Sequence, residues 1–86
     1  MIRLIDTVML SRVDDEIVLL DGASGKYFGL NPVGSRLVEL LLESPDDEAA
    51  LRRAISEYEA PEELIRTDFK SLVGNLRSRG LIHEEA

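Results

Sequence analysis

Few residues in this chain could do chemistry, and their spacing argues against it. There is no cysteine and a single histidine, His83, near the end of the sequence. One isolated imidazole reads as a solvated side chain rather than a metal ligand. Acid clusters occur at Asp14-Asp15-Glu16 and Asp46-Asp47-Glu48. Neither has the alternating oxygen-ligand spacing of a calcium loop. The first reads as a turn with a strand start, the second as the first turn of a helix. Ser24 and Ser44 have local structural explanations, and no base is available to activate either. Gly22, Gly25 and Gly29 do not form a phosphate loop, because the helix that follows lacks Gly-Lys-Ser/Thr. The expectation is therefore a protein that is not an enzyme by itself, with no cofactor and no metal. Asp68 stands apart. It lies one residue before Phe69, between Ile65 and Leu72, at the border of an apolar stripe. A carboxylate there is either bonded within its own protein or lines a groove used by a partner.

The chain has 86 residues, enough for one domain covering 1–86. A domain of this size buries only about 60–65% of its unfolded surface, so its stability is on the order of 5 kcal/mol. An apolar share of 44% suits a globular chain. Seventeen acids against ten bases give a formal charge of −7, which opposes nucleic acid as a partner. The opening MIRLIDTVML is interrupted by Asp6 and lacks the apolar core of a signal peptide. No stretch is apolar for the length of a membrane span. Absent cysteines and these absent signals make the cytoplasm the expected compartment.

The elements follow from period and punctuation. Thr7 to Arg12 alternates as a first strand, with Val8 and Leu10 on one face. Asp14 and Asp15 turn the chain into a second strand, Glu16 to Asp21. The Asp21-Gly22-Ala23-Ser24-Gly25 loop requires positive φ somewhere, and Lys26 to Leu30 returns as a third strand. Asn31 can cap and Pro32 can open a helix to about Glu43, with Val33, Leu37, Leu40 and Leu41 inward. Ser44 as cap and Pro45 at the first position announce a second helix ending near Glu59. Pro61 starts a third, whose inward stripe is Ile65, Phe69, Leu72 and Leu76 with Val73 beside it. Gly80 fits a left-handed stop, with Leu81 folding back toward Leu76. Leu81 and Ile82 are expected to dock under the sheet, and His83 to Ala86 to fray. The result is an α+β fold: a three-stranded antiparallel sheet followed by three helices on one core.

Strand three is the last of its sheet, so one flank can be an open edge. Lys26 is its only charge, and it carries Tyr27, Phe28 and Gly29. Either Tyr27 or Phe28, not both, faces inward. If the third helix packs across the sheet, an extended peptide could add as a strand and drop alternate side chains between strand three and Phe69, Leu72, Val73 or Leu76. The alternative is a winged-helix nucleic-acid-binding protein with the third helix as reader. Its bases Arg66, Lys70, Arg77 and Arg79 face Glu62, Glu63 and Asp68, a thin positive balance.

Several segments in order resemble the PqqD-like domains, the recognition elements for precursors of ribosomally made, modified peptides. They are VMLSR, EIVLLD, GASGKYFGLN, NPVGSRLVELL, SPDDEAALRRAISEY and DFKSLVGNLRSRGLI, covering roughly Thr7 to Ile82. The resemblance implies a winged helix-turn-helix-like domain that binds the leader of a precursor peptide as a strand beside strand three and against helix three. A free-standing acidic member of this size is similar to the B1 proteins of lasso peptide biosynthesis. It implies a separate leader peptidase and a macrolactam-forming cyclase as partners. The positions carried over are Lys26, Tyr27, Phe28, Gly29 and Leu30 on the strand, and Asp68, Phe69, Leu72, Val73 and Leu76 on the helix. Which of these touch peptide and which fill core stays open, as does monomer against weak dimer.

Overall fold

The chain changes period at Asn31, and the fold turns on that residue. The structure, a computed structural model, describes residues 1–84. Before Asn31 lie β1 (Ile2–Leu4), β2 (Val8–Val13), β3 (Glu16–Asp21) and β4 (Tyr27–Gly29). After it lie α1 (Pro32–Glu43), α2 (Asp47–Glu57), α3 (Glu62–Ser78) and β5 (Ile82–Glu84). The antiparallel sheet runs in the order β2-β3-β4, with Leu19 paired to both Leu10 and Phe28. Val13 faces Glu16, so Asp14 and Asp15 form a two-residue hairpin loop, and Asp14 takes φ 58°. Aspartate tolerates that region better than most side chains. The longer loop places its positive φ at Gly25, 73°. The Asp21 carboxylate gathers that loop, accepting from Thr7 Oγ1 at 2.8 Å, Ala23 N at 3.0 Å and Ser24 Oγ at 2.9 Å. These bonds, led by that from Thr7, hold its pKa below the ordinary value.

Asn31 caps α1 as its sequence position suggests: its side chain accepts from Gly34 N at 2.7 Å, with Pro32 at the first helical position. The start of α2 differs from expectation. Asp46, not Ser44, is the cap, accepting from Ala49 N at 2.8 Å. Ser44 instead closes α1, and its hydroxyl is buried and accepts from Arg53 Nη1 at 3.4 Å. The proline that follows disfavours the helical region at Ser44, so the chain runs extended until a carboxylate can take over the cap. Val33, expected inward, is 49% exposed, because it faces open cavities that α1 shares with α3 rather than the core. At the other end of the helical region, Gly80 takes φ 68°. Gly80 N and Leu81 N donate back to the Arg77 and Leu76 carbonyls, both at 3.0 Å, which is a Schellman stop.

The two-stranded sheet of β1 and β5 was not expected. Ile2, Arg3 and Leu4 pair with Glu84, His83 and Ile82, so His83 and Glu84 belong to a strand rather than a fraying tail. Glu85 and Ala86 lie outside the described residues. Each strand has only three residues, too short for an alternation to show in sequence. Ile2, Leu81 and Ile82 join Ile17, Leu19, Leu40 and Leu76 in one core between the larger sheet and the helices. On the outside, Arg36 clamps α1 to α2 through two 2.7 Å bonds to the Glu57 carboxylate.

Candidate functional site

The β2-β3-β4 sheet ends at β4, and no strand covers its far flank among the described residues. The direction of the β4 backbone can be read from its neighbours. Leu30 N donates to Ile17 O and Asp21 N to Lys26 O, both at 2.9 Å, and Phe28 lies opposite Leu19. Antiparallel alternation then points the N–H and C=O of Phe28 at β3, and those of Tyr27 and Gly29 at the open flank. Two residues thus offer a backbone edge to an incoming chain. A buried serine fixes the exit of this strand. Ser35 on α1 accepts from Ile17 N at 2.7 Å and lies 3.4 Å from Leu30 O, to which its hydroxyl donates. The hydroxyl stands where the second bond of the Ile17–Leu30 pair would otherwise close.

Opposite this edge runs α3, and between them lies a trench of three adjoining cavities. The central one, about 520 Å³, is bounded by Phe28 and Gly29 on β4, Asp68, Leu72 and Asn75 on α3, and Gly34 on α1. Phe28 separates it from a second, of about 280 Å³, reaching Lys26 and Arg79. Val33, Leu37 and Asp68 border a third, of about 150 Å³, walled otherwise by Tyr58, Leu64 and Ile65. From Leu64 to Arg79 the chain rises about 22 Å. That is the reach of about seven residues of extended peptide. Arg79 sits over Phe28, its guanidinium carbon 4.8 Å from the ring centroid.

The sequence-derived positions divide between trench and core. Lys26, Tyr27, Gly29 and Asp68 are exposed, and Phe28 and Leu72 are half-buried at the trench wall. Tyr27 points away from the core, at 73% exposure, while Phe28 packs against it, so one of the pair faces inward as the alternation requires. Leu30 is buried yet also lines the central cavity, whereas Phe69, Val73 and Leu76 are buried in the core and line none of the three cavities. Sequence reasoning did not single out Val33, Leu64, Ser71, Asn75 or Arg79 as part of this surface. One signal was available: Leu64 is a large apolar residue beside the inward stripe rather than on it, and it is 54% exposed. Among the described residues no group of His, Asp and Glu is placed to hold a metal ion. No described helix is long and apolar enough to cross a membrane.

The fold and site define a winged-helix-like α+β domain whose last helix faces an open sheet edge. The chain belongs to the PqqD family: the family profile of coenzyme PQQ synthesis protein D matches residues 16–82. Its structure is similar to that of TbiB1 in complex with the TbiA(beta) leader peptide, at 32% identity and a TM-score of 0.84, covering 98% of each chain. It is also similar to a lasso peptide synthetase B1 complexed with the leader peptide, at 32% identity and a TM-score of 0.79, covering 96% of this chain and 98% of that one. No curated relative matches the chain.

Proposed function

We propose that this chain is a non-catalytic adaptor of lasso peptide biosynthesis that binds the leader region of a ribosomally made precursor peptide. The leader adds as a strand beside β4 and lays alternate side chains into the trench along α3. The observation that carries this reading is the edge formed by Tyr27 and Gly29 with the trench opposite it, where Phe28, Val33, Leu37 and Leu72 offer apolar contact beside Asp68 and Asn75. Two ladder positions supply few hydrogen bonds, so most of the affinity has to come from side chains seated in the trench. The two similar proteins bound to leader peptides support the same reading. The domain, 1–86, then presents the precursor to a separate leader peptidase and a macrolactam-forming cyclase in the cytoplasm. It works as a monomer or weak dimer without cofactor, metal, membrane or nucleic acid. The nucleic-acid reading gains nothing from α3, where Arg66 is paired with Glu62 and Arg77 with Glu84.

The test is a fluorescence polarisation titration with labelled leader segments of candidate lasso precursor peptides. Saturable binding at or below tens of micromolar is expected, together with movement of the Tyr27 and Gly29 amide signals in NMR. A flat titration, or binding that leaves those two amides unmoved, defeats strand addition at β4. A pull-down with the leader peptidase tests presentation separately.

A further inference from the structure

We infer that the end of the trench at Lys26 and Arg79 is a seat for a side-chain carboxylate of the bound peptide, and that it sets the direction in which the peptide lies. The inference rests on the peptide-binding reading above and adds to it a chemical requirement on the ligand. In this acidic chain most arginines are already committed: Arg12, Arg36, Arg53, Arg66 and Arg77 each pair with a carboxylate of the protein. Lys26 and Arg79 are in no such pair among the described residues, and both line the same 280 Å³ cavity. Arg79 is not consumed in capping α3 either. The Asn75, Leu76 and Arg77 carbonyls take the N–H groups of Arg79, Leu81 and Gly80. What holds its guanidinium is the face of Phe28, at 4.8 Å, and this leaves the N–H donors free.

One carboxylate of the protein, Asp21, borders the cavity. Both of its oxygens already accept bonds from Thr7, Ala23 and Ser24. It offsets part of the field of the two cations and leaves a net positive charge. The far end of the trench has the opposite character. There Asp68 stands beside Val33, Leu37, Tyr58 and Leu64, with no cation at that cavity. A peptide seated one way places an acid against Lys26 and Arg79 and apolar side chains against Leu64. Seated the other way, it brings its acid to Asp68. Repulsion there and attraction at Arg79 act together to select one orientation.

An array of extended peptides of about twelve residues covers the trench, which takes about seven, with overhang at both ends. Amidating every C terminus leaves side chains as the only carboxylates. The array is probed with the whole chain and with the double variant Lys26→Glu/Arg79→Glu. Wild-type binders are expected to share Asp or Glu at one position, and its replacement by Asn or Gln to weaken binding about three- to tenfold. That loss should fade in high salt. The double variant should lose the preference or exchange it for Lys or Arg. Arg79→Gln, which introduces no new charge, should lose the preference without reversing it, and it keeps the test decisive should the double variant misfold. Binders with no acid preference, or with one that survives both variants, overturn the carboxylate seat and leave the adaptor reading standing. An array with no binders overturns both.

Discussion

Leu72 and Val73 are adjacent on α3 and do different work. Val73 is 4% exposed in the core, whereas Leu72 is half-buried at the wall of the trench. Helical geometry turns successive residues by about 100°, so a stripe read as one face can straddle a core and a groove. Leu72→Ala should therefore weaken leader binding by roughly 1–3 kcal/mol, with a melting temperature close to that of the wild type. Val73→Ala should destabilise the fold by about 1–3 kcal/mol and affect binding only through that loss. Urea melts run beside the polarisation titration separate the two, and the reverse pattern would place the peptide on another face. At the same scale, Asp21 and Glu57 hold pKa values below their ordinary 3.8 and 4.5. Thr7 is the leading cause for Asp21 and the Arg36 hydrogen bond for Glu57. A carboxylate lowered in the folded state adds stability above its unfolded value and loses it as pH falls through the folded one. Stability should decline below about pH 4. Asp21→Asn should flatten part of that decline in a series of urea melts at decreasing pH, and an unchanged pH profile would contradict the assignment.

Element by element, what could be read from sequence was whatever announces itself locally. Asn31-Pro32, the glycine-rich loop after Asp21 and Gly80 each carry a backbone requirement in a residue type, and the structure uses each of them as read. The start of α2 slipped by two residues because Ser44-Pro45 and Asp46 both look like caps, and only the three-dimensional path decides between them. Ser35 gave no signal at all. It is a polar residue on an inward helix face, and its meaning comes from β3 and β4, which are distant in sequence. Its hydroxyl ties both strands to α1, and so sets where the open edge lies against the trench. Ser35→Ala strands the buried Ile17 N–H, at a cost of about 1–3 kcal/mol. Leader affinity should fall as well, because β4 loses its anchor. Ser35→Cys, with a weaker acceptor of similar size, should recover part of the stability at most. A fully stable Ser35→Ala protein in thermal denaturation would mean that water or Leu30 takes over the bond.

At the scale of the molecule, the pair formed by β1 and β5 closes the ring of elements around the core. β1 packs on α1 and β5 on α3, so the pair joins α3, the wall opposite β4, to α1, whose Val33, Gly34 and Leu37 also line the trench. It is invisible in sequence because its partners are three residues long and lie at opposite ends of the chain. Pairing of that range carries a loop-closure cost that burial has to offset, and Ile2, at 1% exposure, supplies much of that burial. Ile2→Ala removes apolar volume from a fully buried side chain and should cost about 2–4 kcal/mol. In a domain of this size that is a drop of roughly 10–20 °C in melting temperature. Short of melting, the variant should exchange the amide hydrogens of β1 and β5 faster than those of β3. It should also bind leader more weakly, because α1 and α3 no longer hold a fixed spacing. A melting point within a few degrees of wild type, with β5 amides still protected, would show that the trench keeps its width without the clasp.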